Sequence, residues 1–233
     1  MSVFAIADLH LDGGAGKPMD VFGSHWAGHR ERIFSSWQNS VGPDDIVLLP
    51  GDICWAMYFT DALSELNAIS SLPGTKAMIR GNHDYWWASP TKMRSMLPHD
   101  IRVIQNDSVE FEDFVVCGSR GWLLPCDSEF KQDDRKIYAR ELIRLELSLR
   151  SVRNREKPVI CMLHFPPLPA NGQDSGFTEL LDKYGVKVCL YGHLHGRSCA
   201  GAFDGVKNGT VYKLCSADSL NFELLKIDDL LRE

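Results

Sequence analysis

Short, dense apolar runs alternate along the chain with longer amphipathic stretches. Runs at residues 3–7, 46–49, 76–79, 101–104, 114–117, 159–163 and 186–191 are mostly rich in Val and Ile, as strands covered on both faces tend to be. Between them, segments 26–40, 60–71, 91–97, 133–154 and 178–184 have helix-forming composition, and Ser89-Pro90 supplies a cap and first turn. The alternation predicts an α/β fold. In segment 133–154, Tyr138, Leu142, Leu145, Leu149 and Val152 recur at spacings of four and three. That stripe covers only about two heptads, too few for a coiled coil, and predicts a helix packed on a sheet.

After Ala200 the segments shorten and turn signals appear. Asn208-Gly209 lies between Phe203 and Val211-Tyr212 at an offset that suits a type I′ hairpin, and Leu214 and residues 222–227 read as further strands. Antiparallel strands after a run of crossover units predict a second sheet packed on the first, or an extension of it. Residues 12–27 contain Gly13-Gly14 and Gly16 without periodicity, which predicts a loop placed to cover a site.

Composition narrows the functional classes. At 233 residues with 44% hydrophobic positions, the chain is expected to form a single domain over residues 1–233. A net charge of −6 opposes wrapping nucleic acid by bulk charge. The 7 cysteines include no pair at the offset of a zinc knuckle or redox motif. The N-terminus meets Asp8 before a signal-peptide core can form, and no apolar run has the length of a membrane span. These features predict a cytoplasmic protein with reduced thiols and no membrane partner.

The candidate chemistry lies just after the apolar runs. The first runs into Asp8-Leu9-His10, the second into Gly51-Asp52, and the third into Arg80-Gly81-Asn82-His83-Asp84. Two later runs deliver His164 and Gly192-His193-Leu194-His195. The carboxyl edge of an open α/β sheet is where ligand sites form. Five of the 8 histidines (His10, His83, His164, His193, His195) fall in these turns.

Imidazoles with carboxylates and one amide oxygen suit Mn, Fe, Zn, Co or Ni better than Ca or Mg, and the lack of thiolates opposes a structural zinc site. Asp8, His10, Asp52, Asn82, His164, His193 and His195 are too many ligands for one open catalytic ion. They suit two divalent ions with one shared ligand, leaving a formal charge of about +2 that attracts a phosphate ester.

In this order the blocks Asp8-x-His10, Gly51-Asp52, Gly81-Asn82-His83-Asp84, His164 and Gly192-His193-x-His195 resemble the calcineurin-like metallophosphoesterase superfamily. The resemblance implies a four-layer α-β-β-α sandwich of two mixed β-sheets flanked by helices, with the metal site at the carboxyl ends of the strands. It implies a binuclear centre hydrolysing phosphomonoesters or phosphodiesters by attack of a metal-bridging hydroxide. Asp8, His10, Asp52 and His195 would hold one ion. Asp52, Asn82, His164 and His193 would hold the other, with Asp52 bridging.

The resemblance also implies that His83 protonates the leaving oxygen, while Asp84 orients the His83 ring or else caps a following helix. Arg80 would touch phosphate, as in the protein phosphatase branch, or form an ordinary ion pair. After Gly51-Asp52 comes Ile53-Cys54-Trp55, without the Asp-Arg-Gly of that branch, which argues against a protein substrate. The expected substrate is a small phosphorylated molecule; a nuclease, or a non-catalytic scaffold keeping the fold, are the alternatives.

Substrate choice is expected from loops near the ligands. Trp55, Tyr58, Phe59, Tyr85-Trp86-Trp87 and Trp122 follow the ligand turns or lie mid-chain, and core packing is favoured over stacking on substrate. Arg197 and Lys131 read as surface charges with phosphate contact as the alternative.

Overall fold

The computed structural model describes residues 1–17 and 19–231. The apolar runs become strands β1 (Val3–Ala5), β2 (Ile46–Leu49), β3 (Thr75–Met78), β4 (Ile101–Val103), β6 (Val115–Ser119), β7 (Val159–Leu163) and β8 (Val188–Tyr191). Short strands β5 (Ser108–Glu110), β9 (Gly205–Lys207), β10 (Thr210–Leu214) and β11 (Leu225–Lys226) complete two sheets. The first sheet runs β11-β1-β2-β3-β4 and the second β5-β6-β7-β8-β10-β9. Both are mixed: β11 pairs antiparallel at the edge of the first, and β5 and β9 pair antiparallel at the edges of the second.

The two-residue period of the strands builds the layers. Val3, Ala5, Leu48, Ala77, Val116, Ile160, Met162 and Leu190 form one cluster between the sheets. On the outer face of the first sheet, Phe4, Ile6, Val47, Leu49 and Met78 pack with Ile33, Trp37, Leu66, Ile69 and Met93, from helices α1 (His29–Ser40), α2 (Phe59–Ser70) and α3 (Pro90–Met96). On the outer face of the second, Val115, Cys117, Cys161 and Tyr191 pack with Leu145, Leu149, Phe177 and Leu181, from α4 (Asp134–Arg150) and α5 (Gly176–Lys183). The result is the expected four-layer α-β-β-α sandwich.

Three local outcomes differ from the pattern. Helix α1 starts at His29 and not at residue 26, because Gly28 takes a left-handed conformation (φ 63) and Trp26 belongs to a separate 3-10 turn. Within the expected strand 222–227 only Leu225–Lys226 pair; Phe222 sits in a turn at φ 62, its ring 4.9 Å from Trp26. Strand β1 stops at Ala5 because the Ala7 N–H donates to the Cys215 carbonyl, carrying the chain end across to the second sheet. The Asn208-Gly209 hairpin forms as expected, with φ 50 and 83 at the two turn residues and β9 paired to β10.

Candidate metal centre at the strand ends

Parallel strands from both sheets deliver their carboxyl ends to one place. Four of the turn residues there, Asp8 (φ 60), His10 (φ 43), Asp52 (φ 53) and His193 (φ 73), hold left-handed backbone conformations. Each costs of order 1–3 kcal/mol in a non-glycine residue, and such strain gathers where side chains are aimed for a purpose. Two glycines make room for the carboxylates. A Cβ at Gly81 would fall 2.0 Å from Asp52 Oδ1, and one at Gly192 would fall 2.3 Å from Asp8 Oδ2.

The predicted ligands come together in two groups. In the first, His195 Nε2 lies 3.4 Å and His10 Nε2 3.8 Å from Asp8 Oδ1, and the two imidazole nitrogens are 3.3 Å apart. In the second, Asn82 Oδ1 lies 2.6 Å from His164 Nε2 and 3.0 Å from His193 Nδ1. Asp52 stands between them, its Oδ2 3.4 Å from His164 Nε2 and 3.8 Å from His10 Nε2. Asp8, Asp52 and His164 are fully or almost fully buried.

Among the described residues, buried Asp8 Oδ1 has no hydrogen-bond partner, although three imidazoles face it within 4.0 Å. Converging acceptors with an orphaned buried oxygen fit a cation. Two trios satisfy the proximity that one ion needs: Asp8 with His10 and His195, and Asp8 with Asp52 and His164.

The outer contacts set ring orientation. His164 Nδ1 faces the Pro50 carbonyl at 3.0 Å, which leaves Nε2 pointing inward. His195 Nδ1 faces the Asp218 carboxylate at 2.9 Å, and the other Asp218 oxygen accepts from the Gly196 N–H. Sequence reasoning did not find Asp218; its only signal is its place in the turn after β10.

Charge divides the imidazoles. Burial pulls His10 down to about 4 and His193, helped by cationic His164, down to about 3. Burial also opposes ionisation of His164 and His195, but Asp52 lifts the first to about 9, and Asp218 with Asp8 lifts the second to about 10. The same cationic neighbours hold Asp8 and Asp52 below the usual carboxylate range against burial.

The cavity over this centre is about 110 Å³ and is lined by His10, Asp52, His83, His193 and His195. Met19, Phe22 and Trp26 from the glycine-rich loop close it, together with Trp55. Trp55 stacks on the His10 ring at 4.7 Å and contacts the His83 ring at 4.4 Å. Phe59, Trp86 and Trp87 are core residues, whereas Tyr58 and Tyr85 are exposed.

Two expectations are corrected by the geometry. Asp84 neither reaches the His83 ring, whose Nδ1 has no partner, nor caps a helix, since Ser89 caps α3. Its oxygens accept from the backbone N–H groups of Asp52, Ile53, Cys54 and Gly81 and from Trp86 Nε1. Burial and the Asp52 carboxylate raise its pKa to about 7, with the backbone donors opposing them. Arg80 donates from Nε to the Asp84 carbonyl and lines a separate cavity of about 210 Å³ with Arg120, Arg144 and Glu141. None of the seven predicted ligands lines that cavity.

The comparisons with known proteins agree with this architecture. No curated protein matches the sequence. A protein of unknown function from Aquifex aeolicus, AQ665, is similar in fold at 14% identity and TM-score 0.55, with 98% of this chain and 97% of that one covered. The phosphopantetheinyl hydrolase of Mycobacterium tuberculosis is similar at 14% identity and TM-score 0.57, with 97% and 95% covered. The calcineurin-like phosphoesterase family matches residues 1–197, a span that holds all five ligand blocks, and the chain therefore belongs to that family of phosphoric ester hydrolases.

Proposed function

We propose that the protein hydrolyses a small phosphate ester at a binuclear centre of divalent transition metal ions. Asp8, His10, Asp52 and His195 are assigned to one ion, and Asp52, Asn82, His164 and His193 to the other. The observation that carries this reading is the position of Asp52 Oδ2 between His10 and His164, which suits a bridging carboxylate. Residues from both sheets build this one centre, in keeping with a chain that acts as a single domain. When bound, such ions polarise the phosphoryl oxygens and acidify an attacking water.

The chain's own residues do the rest. Asp8 and Asp52 supply two negative charges, so the loaded site keeps a formal charge of about +2 and attracts a phosphate. His83 lines the same cavity and is assigned to protonate the leaving oxygen as its bond to phosphorus breaks. Met19, Phe22, Trp26 and Trp55 limit water around the reacting group. The Mycobacterium neighbour is named a hydrolase, which supports hydrolysis on this fold without choosing the substrate.

The imidazole-rich set favours Mn, Fe, Zn, Co or Ni. Cys117, Cys161 and Cys189 lie side by side in register across β6, β7 and β8, all buried and all free. That arrangement supports a reducing, cytoplasmic setting.

The test is hydrolysis of para-nitrophenyl phosphate and bis-para-nitrophenyl phosphate by chelator-stripped protein given Mn²⁺, Ni²⁺, Zn²⁺ or Mg²⁺. Activity restored by metal is expected, and the preferred ester separates monoesterase from diesterase. Failure with every metal, despite two ions bound per chain, would return the reading to the scaffold alternative.

A further inference from the structure

The cavity over the candidate metal centre is about 110 Å³. It is much the smaller of the two spaces that His193 lines. A second, open groove of about 670 Å³ begins at the same His193 and runs away from the metal site. His193 is the residue common to the two linings. The volume of the groove is in the range of small-molecule sites.

The floor of the groove is apolar. Phe165 packs on the His193 ring at 4.0 Å and on Trp122 at 5.0 Å. Buried Leu124 and Leu168 and half-buried Leu194 continue it. Its charges are few and of both signs: Arg197, Asp127 and Glu129. One cation against two carboxylates does not make a track for a polyanion, which needs a basic groove.

We propose that this groove holds the leaving group of the substrate, an extended, non-anionic alcohol with an apolar stretch, laid past His193 over Phe165, Trp122 and Leu168. The proposal rests on the reading of the metal centre above and adds the class of alcohol that the centre releases. Three observations join here: the cavity over the candidate centre is small beside the groove, His193 lines both, and the groove is apolar along its floor with more carboxylates than cations in its lining. Trp122 thereby becomes a specificity determinant, where the sequence suggested packing.

The test uses binding, so it does not depend on turnover. Manganese-loaded protein is titrated by calorimetry with methylphosphonate and with n-hexylphosphonate, which share a head group and differ in the apolar tail. Hexylphosphonate is expected to bind about tenfold more tightly or better, since several methylenes leave water. Ala170→Glu, a change at an exposed position on the groove wall, should remove most of that difference, and Leu123→Asn should reduce it.

Equal affinities for the two phosphonates would overturn the groove assignment while leaving the metal centre intact. So would a tail-length gain that both variants retain, or a ten-nucleotide single strand that binds more tightly than hexylphosphonate. If metal is taken up and neither phosphonate binds, or no metal is taken up at all, the reading of the centre fails and this proposal with it.

Discussion

Asp84 and Asp52 hold each other's loops in place. Asp84 Oδ2 accepts from the Asp52 N–H at 2.9 Å, and Asp52 Oδ1 accepts at 2.8 Å from the N–H of His83, the residue before Asp84. Each carboxylate is thus fixed by the backbone of the other's turn. Asp52 is left with Oδ2 facing the imidazoles, because Oδ1 is already engaged. The pair explains how the turns after β2 and β3 keep a left-handed Asp52 in one position.

Asp84→Asn should therefore damage stability and the site together. The amide NH₂ would face backbone N–H donors where an oxygen now accepts. Leaving two or more buried donors without an acceptor costs about 3 kcal/mol in all. Urea unfolding should show that loss, and metal analysis should show reduced metal content at the same time. A variant with normal stability would mean that the five donors to Asp84 contribute nothing net.

Asp52→Asn is expected to be the most damaging of the changes at the proposed ligands, because Oδ2 lies between His10 and His164 and is assigned to both ions. Removal of an outer partner typically costs 10–100-fold in metal affinity, and this change should exceed about 100-fold in metal affinity and activity. Metal per chain by elemental analysis, compared with the same measurement on Asn82→Ala, checks the order. Equal retention in the two variants would remove the bridging assignment.

Asp218→Asn tests the orientation of His195. The amide has one oxygen for two donors, His195 Nδ1 and the Gly196 N–H, and without the carboxylate charge the His195 ring loses much of its preference for presenting Nε2 to Asp8. A loss of about 10–100-fold in metal affinity is expected, with a smaller loss of stability than in Asp84→Asn, because the buried Asp218 carboxylate meets two donors where Asp84 meets five. A small loss in metal affinity together with a large loss of stability would make Asp218 a fold residue.

The convergence of the five candidate blocks was legible because metal chemistry demands particular side chains, and those side chains stood directly after apolar runs that read as buried strands. The layers were legible for a similar reason: alternation in 3–7 or 159–163 already sorts residues between two faces. Less was legible wherever direction in space decides. Asp84 follows His83 in the chain, yet its carboxylate points back into the turn after β2. Arg80 precedes Gly81, yet its guanidinium enters a different cavity. Asp218 has no motif around it and meets His195 only because β10 lies beside β8. Phe222 is apolar enough for a strand, but burial against Trp26 is satisfied from a turn.

Lys76 gives a prediction in pH. Its side chain is buried in the first sheet, and Nζ donates to the Leu72 and Ser70 carbonyls and, at 2.8 Å, to Asp100 Oδ2. Partial burial opposes ionisation of Asp100, but the Lys76 ammonium and the Ser70 hydroxyl outweigh it and hold the carboxyl below its usual range. A lowered folded-state pKa contributes stability that is complete above the ordinary aspartate value of about 3.9 and is lost as pH falls through the lowered value. Asp100→Asn should cost about 1–2 kcal/mol at pH 7, kept small because Asp100 is 31% exposed. Urea unfolding of both proteins should show the difference shrinking as pH falls below about 4; a difference that stays constant from neutral pH down to the acid limit of folding would assign the effect to packing.

His83 offers the sharpest division between binding and chemistry. Its contact with Asp52 uses the backbone N–H, so His83→Ala keeps that bond and should keep its metals. What it loses is the imidazole beside the reacting group. Burial, with cationic His164, holds that ring below the usual histidine pKa although Asp52 opposes them; a bound phosphate adds negative charge and draws the proton back on. An alkoxide leaving group needs that proton, whereas para-nitrophenolate leaves without one. The variant should lose about 10²–10⁴-fold in kcat on an alkyl phosphate and far less on para-nitrophenyl phosphate. Equal losses on the two esters would mean that the ring positions the phosphate and does not protonate the leaving oxygen.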